Sequence, residues 1–199
     1  MSYLSHALLY LIEVIFGFFI LLVLLRFLFQ LVRADFYNPM SQFIVTLTNP
    51  PLKLLRRFIP GMLGIDWAAV VLLLAAKALE IYLISWFLGV LNPNPAGVLV
   101  LGITALLKLT VYVYIVALLI RIILSWVSPY GTRHPIGELL YSLTEPVLYP
   151  ARRLLPPVSG LDLSPILVFI LLQLSLFLIV QPLADVGATL EPRLALLVR

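Results

Sequence analysis

The chain has 199 residues, of which 63% are hydrophobic and 11% charged, and its mean hydropathy is +1.14. A soluble domain carries about a quarter charged residues, so the composition excludes a soluble protein and specifies an integral membrane one. The net charge of +4 is too small and too dispersed for nucleic-acid binding. The lack of cysteine excludes disulfides, thiolate metal sites and Cys nucleophiles.

The first apolar run, about residues 7–32, is long enough to cross a ~30 Å hydrocarbon core. It lacks a basic leading segment and carries Glu13 inside the run, so it reads as a retained helix and not a cleaved leader. A polar hairpin follows at 33–66. Its Met40, Phe43, Ile44 and Leu47 stand at helical spacing after Pro39 and predict a short amphipathic helix. A second short helix is predicted with Leu52, Leu55 and Phe58 on one face and Lys53, Arg56 and Arg57 on the other. Gly64 permits a turn with positive φ, and Asp66 stands where the next helix needs its N-cap. The second span covers about 67–91. A short "NPNPAG" turn leads into the third, about 98–127.

The second hairpin, 128–163, repeats the first. Pro39, Thr48, Pro50, Arg56, Arg57, Pro60, Gly64 and Asp66 recur as Pro135, Thr144, Pro146, Arg152, Arg153, Pro156, Gly160 and Asp162, each 96 residues later. Arg26 recurs as Arg121 at an offset of 95. Pro150 occupies the place of Leu54 and predicts a later start and a shorter helix in the second copy. A fourth span, about 164–182, and a tail, 183–199, complete the chain.

The predicted fold is therefore an all-α membrane protein with four transmembrane helices. They form two parallel two-helix repeats, 1–92 and 93–199, each with a cytoplasmic hairpin of short interfacial amphipathic helices. Arg33, Lys53, Arg56, Arg57, Arg133, Arg152 and Arg153 lie in or beside the two long connections. Arg193 and Arg199, diluted by Asp185 and Glu191, lie on the other side. That bias places both connections in the cytoplasm and both termini outside it.

Two groups of residues are candidates for function. Lys53, Arg56, Arg57, Arg152 and Arg153 either anchor the hairpins in the headgroup layer or form a docking surface for anionic lipid or a partner protein. Glu13, Lys77, Glu80, Lys108 and Gln173 fall within spans, where a polar group either specifies helix association or lines an ion pathway. Glu13 is expected to face the bundle interior and contact Lys77 or Lys108. Arg26 and Arg121, near the cytoplasmic ends of their helices, either snorkel to phosphate or reach Asp66 and Asp162. His6 and His134 fall on opposite sides of the membrane, and the chain carries no Gly-rich phosphate loop, H-E-x-x-H or serine elbow. No enzymatic activity, cofactor or metal is expected.

The stretches "RFLFQLVRADFYNPMSQFIVTLTNPPLKLLRRFIPGMLGID" and "RIILSWVSPYGTRHPIGELLYSLTEPVLYPARRLLPPVSGLD" resemble two copies of the YggT family signature, in its duplicated proteobacterial form. The resemblance covers nearly the whole chain and implies a multi-pass protein of the bacterial inner membrane. It also implies roles linked to osmotic-shock tolerance and ion homeostasis, to septum and cell-shape organisation, to nucleoid distribution or, in plastids, to cytochrome assembly, and it carries over no catalytic residue. The first half departs at Leu31, where the second has Trp126. Two functions stand side by side. One is a non-enzymatic organiser or assembly factor working with anionic headgroups and with division or assembly proteins. The other is a small channel, transporter or subunit supporting ion balance, which would need a homo-oligomer.

Overall fold

The computed structural model describes residues 3–62, 64–127, 135–155 and 162–197. Among the described residues seven α-helices follow in chain order: α1 (Tyr3–Leu31), α2 (Pro39–Arg56), α3 (Trp67–Phe87), α4 (Pro95–Val127), α5 (Pro135–Leu154), α6 (Ser164–Ser175) and α7 (Gln181–Leu190). A π-helical turn, Leu176–Val180, joins α6 to α7, and a 3-10 helix, Pro192–Leu197, comes last. Four stretches are long and apolar enough to cross a membrane: Tyr3–Leu31, Trp67–Phe87, Pro95–Ser125 and Ser164–Leu190.

The fourth of these corrects the expected boundary near Pro182. The helical path runs on to Leu190 because the π turn lies just before the proline. The Gln181 N–H bonds the Leu176 carbonyl, five residues back. The wider turn changes register where the missing proline N–H would otherwise interrupt the ladder.

The hairpins differ more from expectation. Each is one continuous helix, not two short segments, and α5 is the longer of the pair at 20 residues against 18. Pro50 and Pro51 lie inside α2, and Pro146 and Pro150 inside α5. In α2 the carbonyls that the prolines leave unpaired belong to the exposed residues Thr46 and Leu47, so no buried acceptor is stranded. The buried stripe of α2 is Ser41, Ile44, Thr48 and Leu52; Met40, Phe43 and Leu47 point outward. The predicted apolar face is thus split, with Ile44 in the core and the other three residues on the outer surface, and the inner face is partly polar.

The largest core cluster gathers Ile20, Val23, Leu24 and Leu28 of α1 with Ile44 of α2, Leu73 and Ala76 of α3, Ala117 of α4, and Leu139 and Leu143 of α5. No residue of α1 before Ile20 is buried. Ala68 and Ala69, both fully buried, let the start of α3 approach Leu52 closely. At the other end of the bundle Ile81, Val98, Leu101 and Leu194 form a second cluster. There Glu191 Oε2 accepts the Asn94 N–H at 2.8 Å, and Asn94 Oδ1 accepts the Ala96 N–H, completing the first turn of α4. Gly97 is required at this crossing, because a Cβ would stand 2.7 Å from the Glu191 Cβ. Gly89, at φ +79°, ends α3 and lets the Val90 N–H return to the Ser85 carbonyl at 2.8 Å.

Candidate functional site

The repeated phrase folds into a polar relay that ties each hairpin to its spans. In the first half Arg26 is only 5% exposed, although it lies on an apolar helix. Its Nη1 donates to Thr48 Oγ1 at 2.8 Å and to the Val45 carbonyl at 3.2 Å, and its Nη2 donates to Asn49 Oδ1 at 3.3 Å. Thr48 spends its own hydroxyl proton on the Ile44 carbonyl at 2.7 Å, which leaves its oxygen free to accept. Ten residues before Asp66, Arg56 donates from Nε and Nη2 to its Oδ2 at 3.2 and 2.5 Å. Asp66 is the N-cap of α3, and its other oxygen accepts the Ala69 N–H at 3.4 Å.

The second half repeats these contacts. Arg121 Nη1 donates to Thr144 Oγ1 at 2.6 Å, and Thr144 donates to the Leu140 carbonyl. Arg152 Nε donates to Asp162 Oδ2 at 2.9 Å. Two details differ. Glu145 bridges Arg121 and Arg152, at 2.8 and 2.9 Å, where the first half has Asn49. Asp162 is not the cap residue itself: α6 begins at Ser164, the expected start of the fourth span, its cap position is Leu163, and Asp162 Oδ1 accepts the Ser164 N–H at 2.9 Å. Partial burial disfavours the Asp162 charge, but hydrogen bonding from Ser164 and the Arg152 guanidinium outweigh it and hold the carboxyl below its ordinary value. Arg152 is raised: burial alone would lower it, and the bond to Asp162 with the Glu145 and Asp162 charges reverses the sign.

Arg26 and Arg121 therefore neither snorkel nor reach the aspartates; they hold the hairpin helices. Arg56 and Arg152, expected among the outward basic residues, are turned onto Asp66 and Asp162 because a carboxylate at the span entrance lies within reach of their forks. Lys53, Arg57 and Arg153 are exposed. The Arg153 guanidinium lies over the Tyr149 ring, 4.5 Å from its centroid, and donates to its hydroxyl. Pro39 and Pro135 open α2 and α5, and Pro50 and Pro146 lie within them. Pro60 is exposed after α2, and Gly64 has φ +78° as its turn requires. Pro156 and Gly160 lie outside the described residues.

The intramembrane residues do not form the expected single cluster. Lys77 Nζ pairs with both Glu80 oxygens, at 2.9 and 2.8 Å, on the buried side of α3. Lys77 and Lys108 share a cleft of about 240 Å³ bounded by Gly17, Ile20 and Leu109. Glu13 is exposed, and Lys77, one of its two expected partners, pairs with Glu80. The reason is packing: α1 has no buried residue before Ile20, so nothing encloses position 13. Gln173 is exposed on α6, where only Ser164 and Val168 are buried. Among the described residues no group of three or more His, Cys, Asp or Glu side chains is placed to hold a metal ion.

The CCB3/YggT family profile matches the chain twice, at residues 5–87 and 100–183. The chain belongs to the CCB3/YggT family. It is 44% identical over 182 residues to an uncharacterized protein of Pseudomonas aeruginosa, covering 91% of this chain and 92% of that one. It is 34% identical over 192 residues to the uncharacterized protein YggT of Escherichia coli K12, covering 95% and 97%. A shorter relative, the uncharacterized protein ycf19 of Guillardia theta, is 40% identical over 78 residues, or 38% of this chain and 78% of that one. No solved structure matches the chain significantly. In this CCB3/YggT chain both matched segments contain a complete set of arginine, threonine and aspartate for the relay.

Proposed function

We propose that the protein is a non-enzymatic organiser or assembly factor of the bacterial inner membrane. In this reading α2 and α5 lie in the cytoplasmic headgroup layer. They offer Lys53, Arg57 and Arg153 to anionic lipid or to a division or assembly protein. The carrying observation is that the duplicated polar residues are spent on fixing these two helices to their spans. A rigidly mounted amphipathic helix with exposed cations suits a platform. The Lys and Arg bias supports the cytoplasmic placement.

The test replaces Lys53, Arg57 and Arg153 together with alanine, leaving the relay intact. Loss of partner co-purification and of phosphatidylglycerol-vesicle retention, at unchanged thermal stability, is the expected result. Unchanged retention and an unchanged partner set would sink the reading.

A second reading, a small oligomeric channel or transporter subunit supporting ion balance under osmotic stress, is favoured by the cleft that Lys77 and Lys108 share. Liposomes with no K+, Na+ or H+ flux above empty controls would remove it.

A further inference from the structure

The two relays differ in charge at one position. Residue 49 is Asn, and its counterpart 96 residues later is Glu145. In the second half the Glu145 carboxylate joins Arg121 Nη2 to Arg152 Nη1, and Asp162 holds Arg152 from the other side. Two cations there meet two anions. In the first half Arg26 and Arg56 are accompanied by Asp66 alone, and Asp66 is held by Arg56. Arg26, 5% exposed, meets only neutral acceptors, and no carboxylate pairs with it among the described residues. The Arg56 Nη1, whose counterpart holds Glu145, makes no hydrogen bond among the described residues.

Space accompanies the missing charge. A cleft of about 540 Å³ opens between α1, α2 and the approach to α3, with Arg26, Gln30, Arg56, Gly61 and Asp66 on its walls. A buried guanidinium beside a second cation, with one carboxylate between them, is a costly arrangement until a further anion enters. Two converging arginine forks suit a tetrahedral oxyanion better than a monovalent halide.

We infer that this cleft binds a phosphate-type oxyanion, seated beside the Asn49 amide and held by Arg26 and Arg56. The anion is either the phosphate of a lipid headgroup or free phosphate, since the cleft lies at the loop end of α1 and is open. The site is distinct from the outward face of Lys53, Arg57 and Arg153, so it goes beyond the platform reading and does not depend on it.

The test is thermal unfolding of the full chain in neutral detergent. Inorganic phosphate is compared with chloride at equal ionic strength, and phosphatidylglycerol with phosphatidylcholine in mixed micelles. A saturable rise in Tm of several degrees is expected from at least one of the two. A rise with phosphatidylglycerol alone assigns a headgroup, and a rise with inorganic phosphate alone assigns the free ion. Asn49→Glu supplies the carboxylate internally and should weaken the response at least fivefold, whereas Arg193→Ala, an exposed cation at the other end of the bundle, should leave it unchanged. Glu145→Asn should create a second responsive site and enlarge the rise; it carries the test if Asn49→Glu does not fold. The inference is overturned if neither probe exceeds its control, if Asn49→Glu responds like the parent chain, or, where that variant does not fold, if Glu145→Asn adds nothing.

Discussion

Asn38 joins the two halves of the molecule: its Nδ2 donates to the Pro135 carbonyl at 2.7 Å, while its Oδ1 caps α2 by accepting the Met40 N–H at 3.0 Å. α2 begins with proline, so its first turn lacks one donor and Asn38 supplies its cap. Asn38→Ala removes the cap and the bridge together. A loss of about 1–2 kcal/mol is expected from the cap alone, read as a lower Tm in detergent. Asn38→Asp should keep the cap and lose the bridge, and so should fall between the parent and Asn38→Ala.

Arg56 and Asp66 should couple more strongly than Arg152 and Asp162. Asp66 is 4% exposed in its side chain, against 36% for Asp162. Exposed pairs contribute about 0.2–1 kcal/mol, and a buried partner left alone costs more. Double-mutant cycles with Arg→Ala and Asp→Ala in each half should give the larger coupling in the first. Equal couplings would mean that burial of Asp66 does not matter.

The intramembrane pair Lys77–Glu80 should be strongly non-additive. Glu80→Gln leaves the Lys77 charge without its carboxylate on the buried side of α3, and a loss of about 3 kcal/mol is expected. Lys77→Met in the same chain should restore part of it. Glu13→Gln, at an exposed position, should change Tm by no more than the ~0.5 kcal/mol typical of surface changes. A large Glu13 effect would contradict the packing described for α1.

Acid should act through Asp162. Its folded-state value lies below the ordinary carboxyl value of 3.8, so its stabilising contribution is fully present above about pH 5. It is lost as pH falls through the depressed folded value. The stability advantage of the parent chain over Asp162→Asn should therefore be constant from neutral pH to about pH 5 and shrink below that. A constant gap down to pH 2 would show that Asp162 acts without its charge.

The four apolar helices were legible because length and hydropathy alone specify them, and the relay residues were legible as a set because they recur at fixed offsets. Their connections were not. An arginine two turns inside a helix end is equally placed to reach water, a carboxylate or a threonine hydroxyl; only the rotation of α2 about its axis decides for Thr48. Proline inside α2 reads as the boundary between two short helices because sequence does not show that the freed carbonyls belong to exposed residues. Glu13 was misplaced because depth can be counted along a helix, whereas the side it faces depends on which neighbours pack there. The Asn49–Glu145 difference was visible in the aligned copies, yet it carried no signal until the two arginines were seen to converge on it.

The bond between Glu191 and Asn94 has a consequence for the order in which the molecule is made. The third span begins at Pro95, but one of its opening donors is satisfied by a residue 97 positions further on, after the last span. During synthesis α3 and α4 are therefore in the bilayer with that turn still open, and it closes only when the ribosome has passed Glu191. Chains halted before that residue, carrying α7 but not the final 3-10 helix, should insert all four spans yet leave the Asn94 amide hydrogen exchanging freely. A pulse-labelling comparison of chains ending at Leu190 and Leu197 would time the closure.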